Sequence, residues 1–259
     1  MLIVLSPAKS LDYESVVKTD FFTTPAFVED AELLAGLAKK LQPAEISDLM
    51  DISPALAQLN AERFSAWRRK PHPSLIRQAI FAFNGDVYEG LDAKQFGTGE
   101  IEYLQSHLRI LSGLYGALRP MDALQAYRLE MGTRLANPRG KNLYAFWGEK
   151  VTDFLNQSIK KIHAQTLLNL ASEEYFKVVK PGLLNAKIIT PVFQDWKNGR
   201  YKVISFYAKR ARGLMARYCA EHRIVDVNQL KRFDQEAYAY CEEESDSTHW
   251  VFRRKLEFN

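Results

Sequence analysis

Cysteine is scarce. Cys219 and Cys241 are the two in 259 residues, and they stand in no CxxC or other metal-ligand spacing. That excludes a disulfide-stapled scaffold and a zinc ribbon, and it suits a reducing compartment. Long apolar runs are lacking as well. The opening run, Leu2–Leu5, is followed at once by Pro7 and Lys9, too early for a signal-peptide core. No stretch reaches the ~20 apolar residues of a membrane span. A cytoplasmic chain with no membrane attachment is expected. Catalytic signatures are missing too: there is no G-x-S-x-G elbow, no HExxH and no EF-hand loop. Gly85 and Gly90 have the separation of a phosphate loop, but Leu91-Asp92 follows where Lys-Ser/Thr is required. Cys219 and His222 lie three apart in a cationic stretch and lack a third ligand. No metal and no cofactor is expected.

One further absence is local. From Trp196 to Ala220 there is no Asp or Glu, while Lys197, Arg200, Lys202, Lys209, Arg210, Arg212 and Arg217 all fall there. Net charge over the whole chain is only +4, so any affinity for polyanions must come from a patch of this kind. Read as a helix from about Ala208, the stretch places Ala211, Leu214, Met215 and Tyr218 on one apolar stripe. Lys209, Arg210 and Arg217 then fall on the opposite side, with Arg212 at its flank. Like charges repel unless something anionic lies against them, so the run reads as an anion-binding surface. The alternative is an ordinary basic surface helix.

What is present elsewhere is a soluble globular composition, 47% apolar and 25% charged. Leu2–Leu5 and Thr166–Leu170 read as buried strands, and Ala79–Phe83 as another closed by Asn84-Gly85-Asp86. Helices are expected over Ala31–Leu41, over Pro43–Met50 and from Ser53-Pro54 to about Arg69. Asn142-Leu143-Tyr144-Ala145-Phe146-Trp147-Gly148, whose aromatics read as core, leads into one more helix to about Lys161. Lys187–Phe193 and Arg200–Phe206 flank the turn Lys197-Asn198-Gly199, and Glu236–Cys241 with Thr248–Arg254 suggest a second hairpin. No linker or repeat divides the chain. Residues 1–259 are therefore expected to form one α/β (mixed α+β) domain, a mixed sheet surrounded by helices.

Two groups of residues carry possible chemistry. Glu100–Leu111 and Met121–Leu129 read as helices joined through Ser112-Gly113-Leu114-Tyr115-Gly116. Over about residues 100–130 this resembles the helix-hairpin-helix module, whose backbone N–H groups and nearby cations, here Arg109 and Arg119, hold a phosphate without reading sequence. The usual hairpin has one residue between its glycines, whereas Leu114 and Tyr115 both lie between Gly113 and Gly116. A glycine-capped helix with a packed turn is the other reading. The second group is polar residues after predicted strands: Lys9, Asn169, Ser172 and Lys209, together with Arg128 and Glu130 in a turn. Converging, they could bind a phosphate or nucleobase, or act on one with Glu130 or Glu174 as general base. Ser172 equally suits a helix N-cap, and Arg128 and Glu130 an internal ion pair.

SPAKSLDY, LSGLYGALRPMD, YRLEMGTRL, NLYAFWG, NLASEEYFK and ISFYAKRARGLMARY occur in this order. Together they resemble the YaaA family of bacterial peroxide-stress proteins across essentially the whole chain. The resemblance implies DNA as partner, in protection or repair under oxidative stress, and a family-specific α/β fold. It also implies a positively charged cleft that includes Lys209, Arg210, Arg212 and Arg217, and a helix-hairpin-helix-like element. No established catalytic activity comes with it, and it leaves the oligomeric state open.

Overall fold

A computed structural model describes residues 1–255. Strand β1 (Leu2–Leu5) is apolar at every position and wholly buried. A loop leads to the two-residue β2 (Ser10–Leu11) and then to three helices, α1 (Val28–Ala38), α2 (Pro43–Met50) and α3 (Pro54–Ala66). The last two open as their sequences dictate. Pro43 and Pro54 occupy first-turn positions, and the Ser53 side chain accepts the Leu56 N–H. The chain continues through β3 (Ile76–Gln78), the single turn α4 (Ala79–Ala82), β4 (Phe83–Asn84) and α5 (Asp86–Leu91). Ala79–Phe83 is thus buried as expected, but mostly as a helical turn rather than a strand. An apolar run this short fits either state, and its neighbours decide.

Helix α6 (Thr98–His107) ends where β5 (Leu108–Ser112) begins, followed by β6 (Gly116–Leu118) and β7 (Ala123–Gln125). The helix-hairpin-helix expectation is therefore wrong. Leu108 and Leu111 keep helical spacing with Ile101 and Leu104, yet β5 pairs in parallel with β1 and antiparallel with β6, and all five of its residues are buried. The glycines serve packing. A Cβ on Gly113 would lie 2.2 Å from the Leu129 carbonyl oxygen, and Gly116, at φ +67°, has the Trp147 ring within 2.8 Å of that position. Trp147 Nε1 donates to the Gly113 carbonyl at 3.0 Å. Neither glycine is open to a phosphate.

The aromatic segment forms α7 (Leu143–Trp147) and α8 (Lys150–Lys161), broken at Gly148, with Phe146 and Trp147 in the core as anticipated. Next come β8 (Thr166–Leu170), the short α9 (Glu173–Phe176), β9 (Lys187–Lys197), β10 (Arg200–Lys202) and α10 (Ser205–Glu221). Strands β11 (Ala239–Cys241) and β12 (His249–Arg254) close the chain as the expected hairpin.

These strands form an eight-stranded mixed sheet in the order β11-β12-β9-β8-β1-β5-β6, with β10 added to β9. Strands β12, β9, β8, β1 and β5 run parallel, so the loops after β1 and β8 emerge at one edge. The α10 stripe is buried at Ala211, Leu214, Met215 and Tyr218, as its spacing requires. Its crossing with α5 is close because glycine faces backbone on both sides. A Cβ on Gly213 would meet the Val87 carbonyl oxygen at 1.8 Å, and one on Gly90 the Arg210 carbonyl oxygen at 2.2 Å.

Candidate functional site

The turn after β1 and the segment Tyr127–Glu130 face each other across a small concavity, walled also by Tyr175. Lys9 Nζ lies 3.0 Å from Glu130 Oε2, and Arg128 Nη2 donates to Glu130 Oε1 at 3.2 Å. One carboxylate thus holds two cations. Lys9 is the open member, its side chain 64% exposed, whereas Arg128 is largely enclosed. The Arg128 Nε–H is buried and has no acceptor among the described residues. A buried donor without a partner carries a desolvation cost, which an oxygen brought by a ligand would relieve.

The turn that carries Lys9 leaves the sheet beside the end of β8. Leu5 ends β1 beside Leu170, the end of β8. Directly after them, Ser6 Oγ accepts the Ser172 backbone N–H at 2.8 Å and lies 3.2 Å from Ser172 Oγ. Tyr88 donates its phenol hydrogen to the Ser6 carbonyl at 3.0 Å. Ser172 also caps α9 by accepting from the Tyr175 N–H, so the capping account of this residue holds. Glu174 accepts the Gly132 N–H at 2.9 Å and so pins the turn after Glu130. Burial drives the Tyr175 phenol pKa well up, and the nearby Tyr127, Glu174 and Glu130 push the same way. Tyr175 therefore stays protonated at neutral pH. Both tyrosines and Ser6 escaped the sequence reading. The signal for Ser6 was its place directly after a buried strand.

Asn169 stands one strand position from this edge but turns to its own neighbours. Its Oδ1 accepts the Ala171 N–H at 3.0 Å, and its Nδ2 lies 3.4 Å from Thr190 Oγ1. It shapes the loop and does not line the concavity. The larger concavity lies elsewhere, lined by Asp12, Asn84, Glu89, Asp92 and Lys94 among others. Three carboxylates there make it a poor receptor for phosphate.

The remaining expected cations separate. Arg109 is buried, donating to Ser158 Oγ and to the Gln105 and Leu108 carbonyls, and burial, with the Arg119 charge, brings its pKa down to about 10. Arg119 is held 2.9 Å from Asp122 and donates to the Thr24 carbonyl. Both are structural, so their assignment to a phosphate-binding hairpin does not stand.

On α10, Arg210 Nε meets Glu236 at 2.7 Å, while Arg217 meets Glu221 at 2.7 Å and Asp92 at 3.3 Å. Glu221 lies one position beyond the acid-free run, and the other two carboxylates arrive from α5's end and from near residue 236. The run is thus partly neutralised, and its cations do not form one uncompensated face. Lys209 is exposed, and Arg212 is half-buried with its pKa lowered by that burial. Neither makes an ion pair among the described residues.

The family model described as peroxide stress protein YaaA matches residues 1–244. The chain belongs to this family. Similar relatives span the same length. A UPF0246 protein of Ralstonia pickettii is 59% identical over 256 residues, covering 99% of this chain and 100% of the relative. Another, from Paraburkholderia phytofirmans, is 57% identical over 258 residues, covering 99% of each. The motifs that carried the resemblance now have positions in this family member. SPAKSLDY supplies Lys9, YRLEMGTRL supplies Arg128 and Glu130, and NLASEEYFK supplies Tyr175. Three segments far apart in sequence thus build one concavity.

Proposed function

We propose that the protein serves in the peroxide-stress response by receiving a nucleotide, a nucleobase or a DNA end in the concavity of Lys9, Arg128 and Glu130. Family membership supports the role in peroxide stress. The observation that carries the finer reading is the two-cation grip on Glu130, with the buried Arg128 Nε–H left without an acceptor. Lys9 is exposed enough to swing toward a phosphate oxygen. Arg128 would hold a second oxygen, and Glu130 would accept a proton or a base N–H. Calorimetric titration with nucleoside monophosphates and with 5′-phosphorylated oligonucleotides tests this. Binding should fall at least about tenfold in Arg128→Ala, the loss of one charged hydrogen bond. No binding by the wild type, or equal binding by the variant, overturns the proposal.

Sequence-independent DNA binding, bearing on protection or repair, is the second reading. Lys209 and Arg212 favour it, together with the cations of the β9–β10 hairpin. Its mark would be affinity that falls steeply with salt for every sequence alike.

A further inference from the structure

Strand β9 outruns its neighbour. Leu168 is level with Ile189, so the end of β8 at Leu170 is level with Pro191, and β9 continues to Lys197. That projects the β9–β10 hairpin about 20 Å past the edge that carries the concavity. Side chains alternate along β9: Ile189, Phe193 and Asp195 point to the core, while Thr190, Gln194 and Trp196 point to the other face.

At its hairpin end that second face is aromatic and partly open. Trp196 is 40% exposed, whereas Trp67, Trp147 and Trp250 are buried. Tyr201 pairs directly across from Trp196 on β10, and their ring centroids lie 4.9 Å apart at 70°. Beside them, Arg253 on β12 lies level with Gln194, its guanidinium 4.6 Å from the Tyr201 ring centroid, and Lys255 Nζ lies 5.4 Å from that of Trp196. The indole packs edge-to-face on Tyr201 yet leaves much of its apolar surface in water. Two adjacent rings, each with a cation against it, match one ligand chemistry: unstacked bases joined by phosphates. Duplex DNA hides its base faces and does not fit. Arg253 Nε donates to Gln194 Oε1 at 2.9 Å, and its Nη2 lies 3.1 Å from Glu244, which is half-exposed.

We infer that this face binds single-stranded nucleic acid, with two bases stacked on Trp196 and Tyr201 and their phosphates beside Arg253 and Lys255. The inference stands on the sheet face alone. It also deepens the proposed function, because a strand lying there would leave its end at the edge where Lys9 and Arg128 sit.

The other tryptophans being buried, quenching of intrinsic fluorescence reports directly on Trp196. Oligothymidylate of about fifteen nucleotides, unphosphorylated at its end, should quench the wild type. A duplex of equal length should quench it weakly. By fluorescence anisotropy of the labelled strand, Trp196→Ala and Tyr201→Ala should each weaken binding at least about fivefold, and Trp196→Phe should restore much of it. Wild-type affinity in both alanine variants, or preference for the duplex, overturns the inference while leaving the nucleotide-binding proposal intact. Loss of nucleotide binding with these properties preserved would do the reverse.

Discussion

Lys9 and Glu130 hold opposite charges 3.0 Å apart although one follows the first strand and the other follows the β5–β7 segment. Arg128 shares the same carboxylate. The Lys9 side of this pairing faces solvent and contributes little to folding, whereas the largely enclosed Arg128 depends on the carboxylate for its counter-charge. Glu130→Gln leaves a carbonyl oxygen for Arg128 but removes the charge, and should lower unfolding free energy by about 1–3 kcal/mol in urea titrations. The same variant should fail to restore peroxide survival to a strain lacking the protein. Restored survival would mean that the carboxylate has no part in function.

The α5–α10 crossing depends on packing instead of charge. Gly213→Ala places a methyl group 1.8 Å from the Val87 carbonyl oxygen, so the helices must part. A loss of about 2–3 kcal/mol is expected, in the range of core overpacking. Gly36 in α1 has nothing within 4 Å of the same position. Gly36→Ala should stabilise by about 0.5–1 kcal/mol. Melting temperatures that move alike in the two variants would contradict the packing account.

Cations on α10 should divide by their partners. Arg210 and Arg217 are engaged by Glu236, Glu221 and Asp92, so replacing them removes little free positive charge from the surface. If DNA binds this helix, Lys209→Ala with Arg212→Ala should weaken it more than Arg210→Ala with Arg217→Ala. The first pair should also reduce the salt dependence by about two counterions. Gel-shift titrations over a salt series give both quantities.

Acid stability should depend on His107. Burial holds its imidazole pKa below the usual 6.5; the Met1 carbonyl it contacts opposes this, while the amino terminus and Arg109 add to it. The unfolded chain therefore takes up a proton below about pH 6.5 that the folded chain refuses. This contribution favours folding above that pH and is lost as pH falls below it. Between about pH 7.5 and pH 5.5, His107→Gln should lose less stability than the wild type in urea titrations. Parallel losses would place the acid sensitivity elsewhere.

The sequence by itself determined the elements whose signal is local. The buried strands Leu2–Leu5 and Thr166–Leu170, the caps at Ser53 and Ser172, and the buried stripe of α10 depend on residues a few positions apart. Hydrophobic spacing and side-chain-to-backbone hydrogen bonds are contained in such windows. Tertiary structure alone decided the rest. Leu108–Ser112 has apolar residues at helical spacing but became a strand because β1 offered it a partner deep in the core. The acid-free run gained carboxylates from Asp92 and Glu236, since charge along a chain carries no record of charge across space. Lys9, Arg128 and Glu130 met because parallel strands bring distant loops to one sheet edge, a consequence of strand order that no local window contains.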